Sequence, residues 1–449
     1  GEVIQPDVPP QLVNNRTMVP VRWVSEALGA VVTWDQDRNT VFIEAEASAD
    51  VPEGAVNIPN EYNEQFIVND DELLIFIENY KPFENTELMN QIIGDKLQEK
   101  FPDYNIRLAV WDIPVRTEDL VNAGVVPDIY IATPRTHIDK VLEKYDWEYD
   151  MTDLIEQSGI DLSQLNQGAV EMIKSRSDGG MYGVPLFIRE FVMLYNKDIF
   201  DAFGQPYPAN GMTYDEIYEM LPNVMGQSGT VTYKGITQHP DQYLDFNQLG
   251  LYPFLPGDSE EPSLEEIRDS VDITTDEWLR LTENMYRFLA FPGNNFIETN
   301  NFFERANYAM VIDTVDKIAT YRMVEGYYSP EHLEIYQGWA PAIENLGAVS
   351  VPVLSEEDNW TYQPNLLAAH VTKQSDKKEQ AMEVIKWLVS EEGQKQFSSH
   401  AMKAVLETDA VVDAFGTNIE GIMDVEGLKE AVYWGENAHV QNYENTEWP

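Results

Sequence analysis

The sequence predicts an α/β fold in which helices cover a parallel sheet, with a small, separate α+β module at the start of the chain. One observation is the regular succession of strand-type and helix-type segments over residues 72–132. Another is the stretch of residues 1–46, where a short helix precedes two β-type runs. With 449 residues and 43% apolar composition, the chain can bury the cores of two or three compact units.

The composition excludes several classes of partner and chemistry. The chain has 78 acidic and 29 basic residues and a formal net charge of -49. The negative electrostatic field of this charge repels nucleic acid, so no nucleic-acid partner is expected. The simplest role of the charge is to keep the protein soluble. The chain has no cysteine, which excludes disulfides, thiolate metal sites and thiol catalysis.

The first module, residues 1–46, combines a helix and a hairpin. Apolar residues at helical spacing precede a glycine that can end the helix: Val24, Ala27, Leu28 and Gly29. Residues 30–34 and 40–43 are β-type runs joined by a polar turn. The segment NNRTMVPVRWVSEALGA, residues 14–30, resembles the copper amine oxidase N-terminal-like domain, a small module of secreted and surface proteins in Gram-positive bacteria.

No metal site is predicted in this module. Residues 1–50 contain neither histidine nor cysteine, and Met18 is their one soft donor, so a copper site lacks its ligands. Thr40 stands where a calcium loop needs glycine, which favours a plain turn, although four residues match calcium-ligand positions: Asp35, Asp37, Asn39 and Glu46. We expect the module to be a spacer or an attachment element, with the cell wall as its candidate partner.

Residues 47–70 mix acids, proline, glycine and asparagine without periodicity, which indicates a linker. The next segments alternate in type: a buried strand at 73–77, a helix ended by Phe101-Pro102, a strand at 105–111, a helix at 117–122 and a strand at 127–132. Ligands of parallel sheets bind beyond the carboxyl ends of the strands. This rule nominates residues 79–83, 111–112 and 133–136.

The stretch from Ser177 to Phe203 resembles the segment of extracellular solute-binding proteins of family 1, the maltose-binding-protein type, that first crosses between two lobes. It contains a Tyr-Gly-Val-Pro turn, a charged pair, an apolar run at 191–194 and a Tyr-Asn-Lys-Asp end. Residues 127–131, 302–313 and 369–396 resemble further segments of that family. Arg305-Ala-Asn307 departs from its usual Gly-Lys, and residues 313–316 lack its aromatic residue.

The resemblance implies that residues 71–449 form a two-lobed, periplasmic-binding-protein-like fold (type II). The lobes would consist of discontinuous segments, with the first crossing near residues 185–192. A solute would bind in the cleft between them.

Candidate ligand-binding residues are of two kinds. Flat aromatic rings suit the apolar faces of sugars, and six lie at predicted cleft edges, although each could instead belong to a core: Phe83, Trp111, Trp339, Trp360, Tyr362 and Trp434. The pair Arg189-Glu190 is the first polar candidate, with an interlobe salt bridge as its alternative. Further polar candidates stand at positions that the resemblance nominates, with a surface role as the alternative: Lys81, Arg135, Asp313 and Asp316.

No enzyme or cofactor motif accompanies these residues. Gly-x-Ser-x-Gly, phosphate-loop and dinucleotide-binding patterns are absent from the sequence. Ser375 and Lys378 match Ser-x-x-Lys without its companion motifs, and Asp376 with Glu379 predicts a capping box at that helix start. We therefore expect no catalytic residue, no cofactor and no enzymatic activity, although a glycosidase-like carboxylate pair stays open among so many acids.

These observations predict an extracellular, cell-surface substrate-binding protein of an ABC importer that closes on a carbohydrate, in particular an oligosaccharide. Its expected partners are that ligand and the permease subunits, and it is expected to be a monomer. No apolar run reaches the roughly 18 residues of a membrane helix. The chain also has no cysteine that could carry a lipid, so a membrane tether is expected in a segment outside this chain, or none exists. The alternatives are a surface sensor or adhesion protein that uses the same cleft, and a polysaccharide-processing enzyme.

Overall fold

The computed structural model describes residues 11–13, 16–18, 30–35, 40–45, 71–78, 89–110, 117–134, 138–177, 180–251, 273–294, 302, 306–315, 345–357, 361–363, 365–419 and 424–434. The chain forms two compact units, Gly1–Ile67 and Val68–Pro449.

The first unit contains two antiparallel strand pairs among its described residues. Strands β1 (Gln11–Val13) and β2 (Arg16–Met18) form one pair. Strands β3 (Ala30–Asp35) and β4 (Thr40–Ala45) form the other, in a register from Ala30 opposite Ala45 to Asp35 opposite Thr40. The predicted hairpin is confirmed. The helix predicted before it and three of the calcium-loop positions, Asp37, Asn39 and Glu46, lie outside the described residues.

The second unit contains the remaining described strands. They are β5 (Glu72–Ile77), β6 (Asn105–Val110), β7 (Ile129–Ala132), β8 (Val184–Arg189), β9 (Phe191–Asn196), β10 (Gly226–Ser228), β11 (Val231–Gln238), β12 (Tyr308–Thr314), β13 (Leu346–Ser350), β14 (Asn365–Val371) and β15 (Lys403–Ala404). They form a six-stranded sheet, in the order β15-β8-β14-β7-β5-β6, and a five-stranded sheet, in the order β10-β11-β12-β9-β13. We call the parts built on these sheets lobe 1 and lobe 2.

Helices accompany both sheets. In chain order they are α1 (Asp95–Lys100), α2 (Thr117–Asn122), α3 (Thr152–Ser158), α4 (Gln167–Ser175), α5 (Lys197–Phe203), α6 (Tyr214–Val224), α7 (Pro240–Asp245), α8 (Asp276–Leu289), α9 (Lys378–Leu388), α10 (Glu391–Ser399), α11 (Asp409–Asp413) and α12 (Val425–Val432). A π-helical turn, Asn90–Gly94, leads into α1, which ends before Phe101-Pro102 as predicted.

Strand β5 is buried on both faces, as its unbroken apolar run predicts. No residue of Leu73–Ile77 is more than 2% exposed. Leu73, Ile75 and Ile77 join the lobe 1 core together with Ile92, Ile93 and Leu97 from the helix that follows. On the opposite face, Phe76 stacks on Tyr130 with 6.2 Å between ring centroids. Strands β6 and β7 run parallel to β5, so the predicted β-α-β-α-β order is confirmed.

Strand β9 holds lobe 2 together because its alternate residues enter different cores. Phe191, Met193 and Tyr195 pack into one core, and Val192 and Leu194 pack into a second core on the other face of the sheet. Helix α12 covers that second face with Leu428, Ala431 and Val432. The apolar run at 191–194 is therefore a central strand between two covered faces.

The chain passes between the lobes at a single residue in its middle. Strand β8 lies in the six-stranded sheet and β9 in the five-stranded sheet, with Glu190 between them. The chain returns to lobe 1 between β13 and β14, and it reaches lobe 2 again when α12 packs against β13 and β9. Each lobe is thus built from discontinuous segments.

Candidate functional site

In lobe 1, three strand ends meet at one edge of the sheet. Strands β5 and β7 are parallel, with Ile77 paired to Ile131. Strand β14 runs antiparallel to both β7 and β8, and its first residue, Asn365, pairs with Arg189. The carboxyl ends of β5, β7 and β8 therefore lie along the same edge.

In lobe 2, two strands also end where the crossing enters. Strands β11 and β12 are parallel, with Gln238 opposite Ile312. Thr314, the last residue of β12, pairs with Phe191, which directly follows the crossing. The edges formed by the carboxyl ends of the parallel strands in the two sheets are therefore joined at Glu190.

Arg189 and the backbone of Glu190 link the lobes directly. The Arg189 Nη2 donates to Thr314 Oγ1 at 3.3 Å. The backbone N–H of Val315 donates to the Glu190 carbonyl oxygen at 2.9 Å. The end of β8 is therefore held to the end of β12.

The Glu190 side chain forms a buried ion pair. Its Oε2 lies 3.4 Å from Lys403 Nζ, and the two side chains are 6% and 2% exposed. Lys403 lies on β15, opposite Ile188, and its Nζ is 5.3 Å from the ring centroid of Tyr433 at the end of α12. This ion pair joins the crossing residue to the lobe 1 sheet. A ligand-binding role for Arg189 and Glu190 stays a prediction.

Two other predicted residues are fully enclosed. Asp313 is 0% exposed, and its Oδ1 accepts a hydrogen bond from the backbone N–H of Thr314 at 2.9 Å. Tyr362 belongs to a lobe 2 core and packs edge-on against Phe191, with 5.2 Å between ring centroids. Its hydroxyl lies 2.6 Å from that of Tyr214, and burial raises the Tyr362 pKa well above its usual range. Their ligand-binding roles stay predictions.

Three buried glutamines were not predicted from the sequence. Gln238, Gln248 and Gln363 are 0%, 1% and 4% exposed. Gln238 Nε2 donates to the Tyr362 hydroxyl at 2.6 Å. The side-chain oxygens of all three find no hydrogen-bond partner within the described part of the chain. Gln238 ends a strand of mixed polar and apolar residues, VTYKGITQ, so no apolar run in the sequence pointed to it.

Glu78 is a further residue that the sequence did not single out. It directly follows β5, one position before the nominated loop, and accepts a hydrogen bond from the Tyr130 hydroxyl. Burial raises its pKa, the Tyr130 bond lowers it and the Glu118 carboxylate raises it, to a net value of about 7. A carboxyl group so perturbed at a strand end is a functional-site candidate.

Other predicted site residues lie outside the described ranges. They are Lys81, Phe83, Trp111, Arg135, Asp316, Trp339 and Trp360. The structure therefore brings Arg189, Glu190 and Asp313 together at the crossing, with Tyr362 beside them in lobe 2.

The Ser375 and Lys378 side chains have structural partners, and the predicted capping box is wrong. Helix α9 begins after Lys377, which makes no side-chain cap. Ser375 Oγ instead accepts from the Lys377 N–H at 3.0 Å and donates to Asp128 Oδ1 at 2.6 Å. Lys378 Nζ donates to backbone oxygens of Lys373 and Ser375. Bonding to the distant Asp128 sets this helix start, which local spacing could not reveal.

The described residues contain no group of three or more His, Cys, Asp or Glu residues that could hold a metal ion. No described helix is long and apolar enough to cross a membrane.

Family comparison matches two parts of the chain. The model of the bacterial extracellular solute-binding proteins matches residues 83–395, which is more than half of the 449 residues. The model of the copper amine oxidase N-terminal domain matches residues 1–43. No curated protein matches the chain in sequence.

Solved structures share the fold at low identity. A sugar transporter from Rhizobium etli in an open conformation is 20% identical, with a TM-score of 0.54 over 80% of this chain and 86% of that chain. UgpB from Mycobacterium tuberculosis in complex with glycerophosphocholine is 13% identical, with a TM-score of 0.57 over 83% and 95%. The cyclic alpha-maltosyl-1,6-maltose binding protein from Arthrobacter globiformis is 15% identical, with a TM-score of 0.55 over 80% and 85%.

These structures confirm the predicted two-lobed, periplasmic-binding-protein-like fold. The family match over residues 83–395 agrees with the resemblance carried by the crossing segment. The chain therefore belongs to the bacterial extracellular solute-binding protein family, and its residues 1–43 are similar to the copper amine oxidase N-terminal domain.

Proposed function

We propose that this protein is the extracellular substrate-binding protein of an ABC importer and that it binds a carbohydrate, in particular an oligosaccharide, between its lobes. The observation that carries the proposal is the crossing at Glu190, where the ligand-binding edges of both sheets meet. A solute that contacts both edges favours the closed arrangement of the lobes, and closure is the signal for the transporter.

The chemistry of the lobe 2 edge supports a carbohydrate. Gln238, at the carboxyl end of β11, has a side-chain oxygen without a hydrogen-bond partner among the described residues, and sugar hydroxyls are donors that such an acceptor suits. The overall charge of -49 disfavours an anionic solute. One structural neighbour binds a cyclic maltosyl saccharide, which agrees with this class, although another binds glycerophosphocholine.

The remaining assignments follow from the same proposal. Residues 1–46 are the N-terminal module, residues 47–70 the linker and residues 71–449 the solute-binding domain. The protein acts as a monomer at the cell surface, tethered through a segment outside this chain, with the permease subunits as its partners. It performs no chemistry on the ligand.

A thermal-shift screen of the purified chain tests this function, because a ligand that binds only the folded state raises the melting temperature. The panel comprises mono- and oligosaccharides, glycerophosphocholine, peptides, polyamines and Ca²⁺. We expect one class of oligosaccharide to give a selective shift that is lost in Arg189→Ala. The matched control is Arg280→Ala, because Arg280 lies exposed on α8. A response to peptides or cations with no response to any sugar would overturn the carbohydrate assignment.

A further inference from the structure

Glu78 occupies the lobe 1 edge of the proposed site. Strand alternation places Ile75 and Ile77 in the lobe 1 core and Phe76 on the opposite face, against Tyr130. Since side chains alternate along a strand, the Glu78 side chain lies on the same face of the sheet as Phe76. Its backbone N–H donates to the carbonyl oxygen of Ile131 at 2.8 Å, which extends the β5–β7 ladder to this residue. The carboxyl group is therefore held at the end of two parallel strands.

The surroundings of this carboxyl group leave one buried oxygen without a hydrogen-bond partner among the described residues. The Tyr130 hydroxyl donates to Glu78 and lies 3.4 Å from Thr117 Oγ1 at the start of α2. Glu78 Oε2 is buried and has no hydrogen-bond partner among the described residues. The titratable groups that bear on Glu78 are Tyr130 from β7 and Glu118 from α2. The predicted cations Lys81 and Arg135 lie outside the described residues.

These surroundings disfavour the charged carboxylate. Burial is the largest cause, and with the Glu118 charge it outweighs the Tyr130 hydrogen bond, so the Glu78 pKa rises from 4.5 to about 7. About half of the Glu78 side chains therefore carry a proton at neutral pH.

We propose that Glu78 contacts the solute bound between the lobes and that solute binding releases the Glu78 proton to the solvent. The inference rests on the proposed function and deepens it. A hydroxyl that donates to Oε2 forms a charge-assisted hydrogen bond with the carboxylate. Such a bond stabilises the ionised form and replaces the solvation that burial removed. The O–H bond of the carboxylic acid breaks, and buffer accepts the proton.

The coupling fixes how affinity depends on pH. A ligand that lowers the pKa of Glu78 binds more tightly as pH rises through 7, by about tenfold for each unit by which the pKa falls. Above that range Glu78 is ionised before binding, so affinity no longer changes. Below it, the ligand must displace a proton and binds more weakly.

Calorimetric titration of the full chain with maltose and mannotriose tests this inference. Each titration is run at pH 5.5, 7 and 8, in two buffers with different ionisation enthalpies, so that the heats report the protons exchanged. We expect release of roughly half a proton per bound sugar at pH 7 and roughly none at pH 8. Glu78→Gln should abolish both the release and the pH dependence. Glu156→Gln, at an exposed position on α3, should leave them unchanged.

The outcomes separate this inference from the function on which it rests. Sugar binding without proton exchange, with proton uptake, or with unchanged release in Glu78→Gln would overturn the role of Glu78 and leave the proposed function standing. Failure of both sugars and of the wider saccharide panel to bind would overturn the proposed function and this inference with it.

Discussion

Lys403→Met should destabilise the protein far more than removal of an exposed lysine. Lys403 and Glu190 are 2% and 6% exposed, and their charged atoms lie 3.4 Å apart. Removing one partner of a buried ion pair costs about 3–5 kcal/mol, because the other charge stays in a region of low polarity. Methionine keeps the length and the apolar stem of lysine, so the change isolates the charge. This loss is a large part of the roughly 5–15 kcal/mol that stabilises a typical domain.

Urea unfolding followed by circular dichroism at pH 7 measures this loss. The control is Lys395→Met, since Lys395 pairs with Glu391 on the surface of α10 at 37% and 50% exposure. A surface pair contributes about 0–1 kcal/mol. The double variant Glu190→Gln/Lys403→Met removes both charges and should be more stable than Lys403→Met alone. The reasoning is refuted if Lys403→Met unfolds within about 1 kcal/mol of the control, or if the double variant is the least stable.

Two further predictions concern the site. Tyr362→Phe removes the hydroxyl that accepts a hydrogen bond from Gln238 and lies beside the Tyr214 hydroxyl. Chemical denaturation should show that the free energy of unfolding falls by about 1–3 kcal/mol. A fall no larger than that of Tyr207→Phe, at an exposed tyrosine, would contradict this prediction. Glu78→Gln should stabilise the ligand-free protein by about 3 kcal/mol at pH 8 and hardly at all at pH 4, because the Glu78 pKa is raised from 4.5 to about 7. As pH rises from 4.5 to about 7, the wild-type Glu78 carboxyl loses its proton in the folded state, and the protein loses the stability that this protonated form provides. Thermal melts at both pH values check it, and an equal effect at both would contradict it.

Much of the fold could be predicted because local patterns determine it. The unbroken apolar runs at 73–77 and 191–194 predict strands buried on both faces, and both are interior strands of their sheets. The resemblance of the crossing segment to the solute-binding protein family then predicted the two-lobed topology. These signals lie in contiguous residues, so one sequence is enough to read them.

The partners within the site could not be predicted because they come from distant segments. Glu190 meets Lys403 only after α10 returns the chain to the edge of the lobe 1 sheet. The environment of Glu78 depends on Glu118 from α2 and Tyr130 from β7, which both lie later in the chain. A sequence shows which residues carry charge, whereas burial and pairing arise from packing between elements.

The central claim is that a sugar closes the two lobes around the crossing at Glu190. Because the chain has no cysteine, Gln157→Cys on α3 and Glu283→Cys on α8 place one spin label on each lobe, at exposed positions. Double electron–electron resonance spectroscopy measures the distance between the two labels, without sugar and with the saccharide that gives the largest thermal shift. The account predicts that saturating sugar moves the distances to a new and narrower distribution. An unchanged distribution, with binding verified by calorimetry, would contradict it.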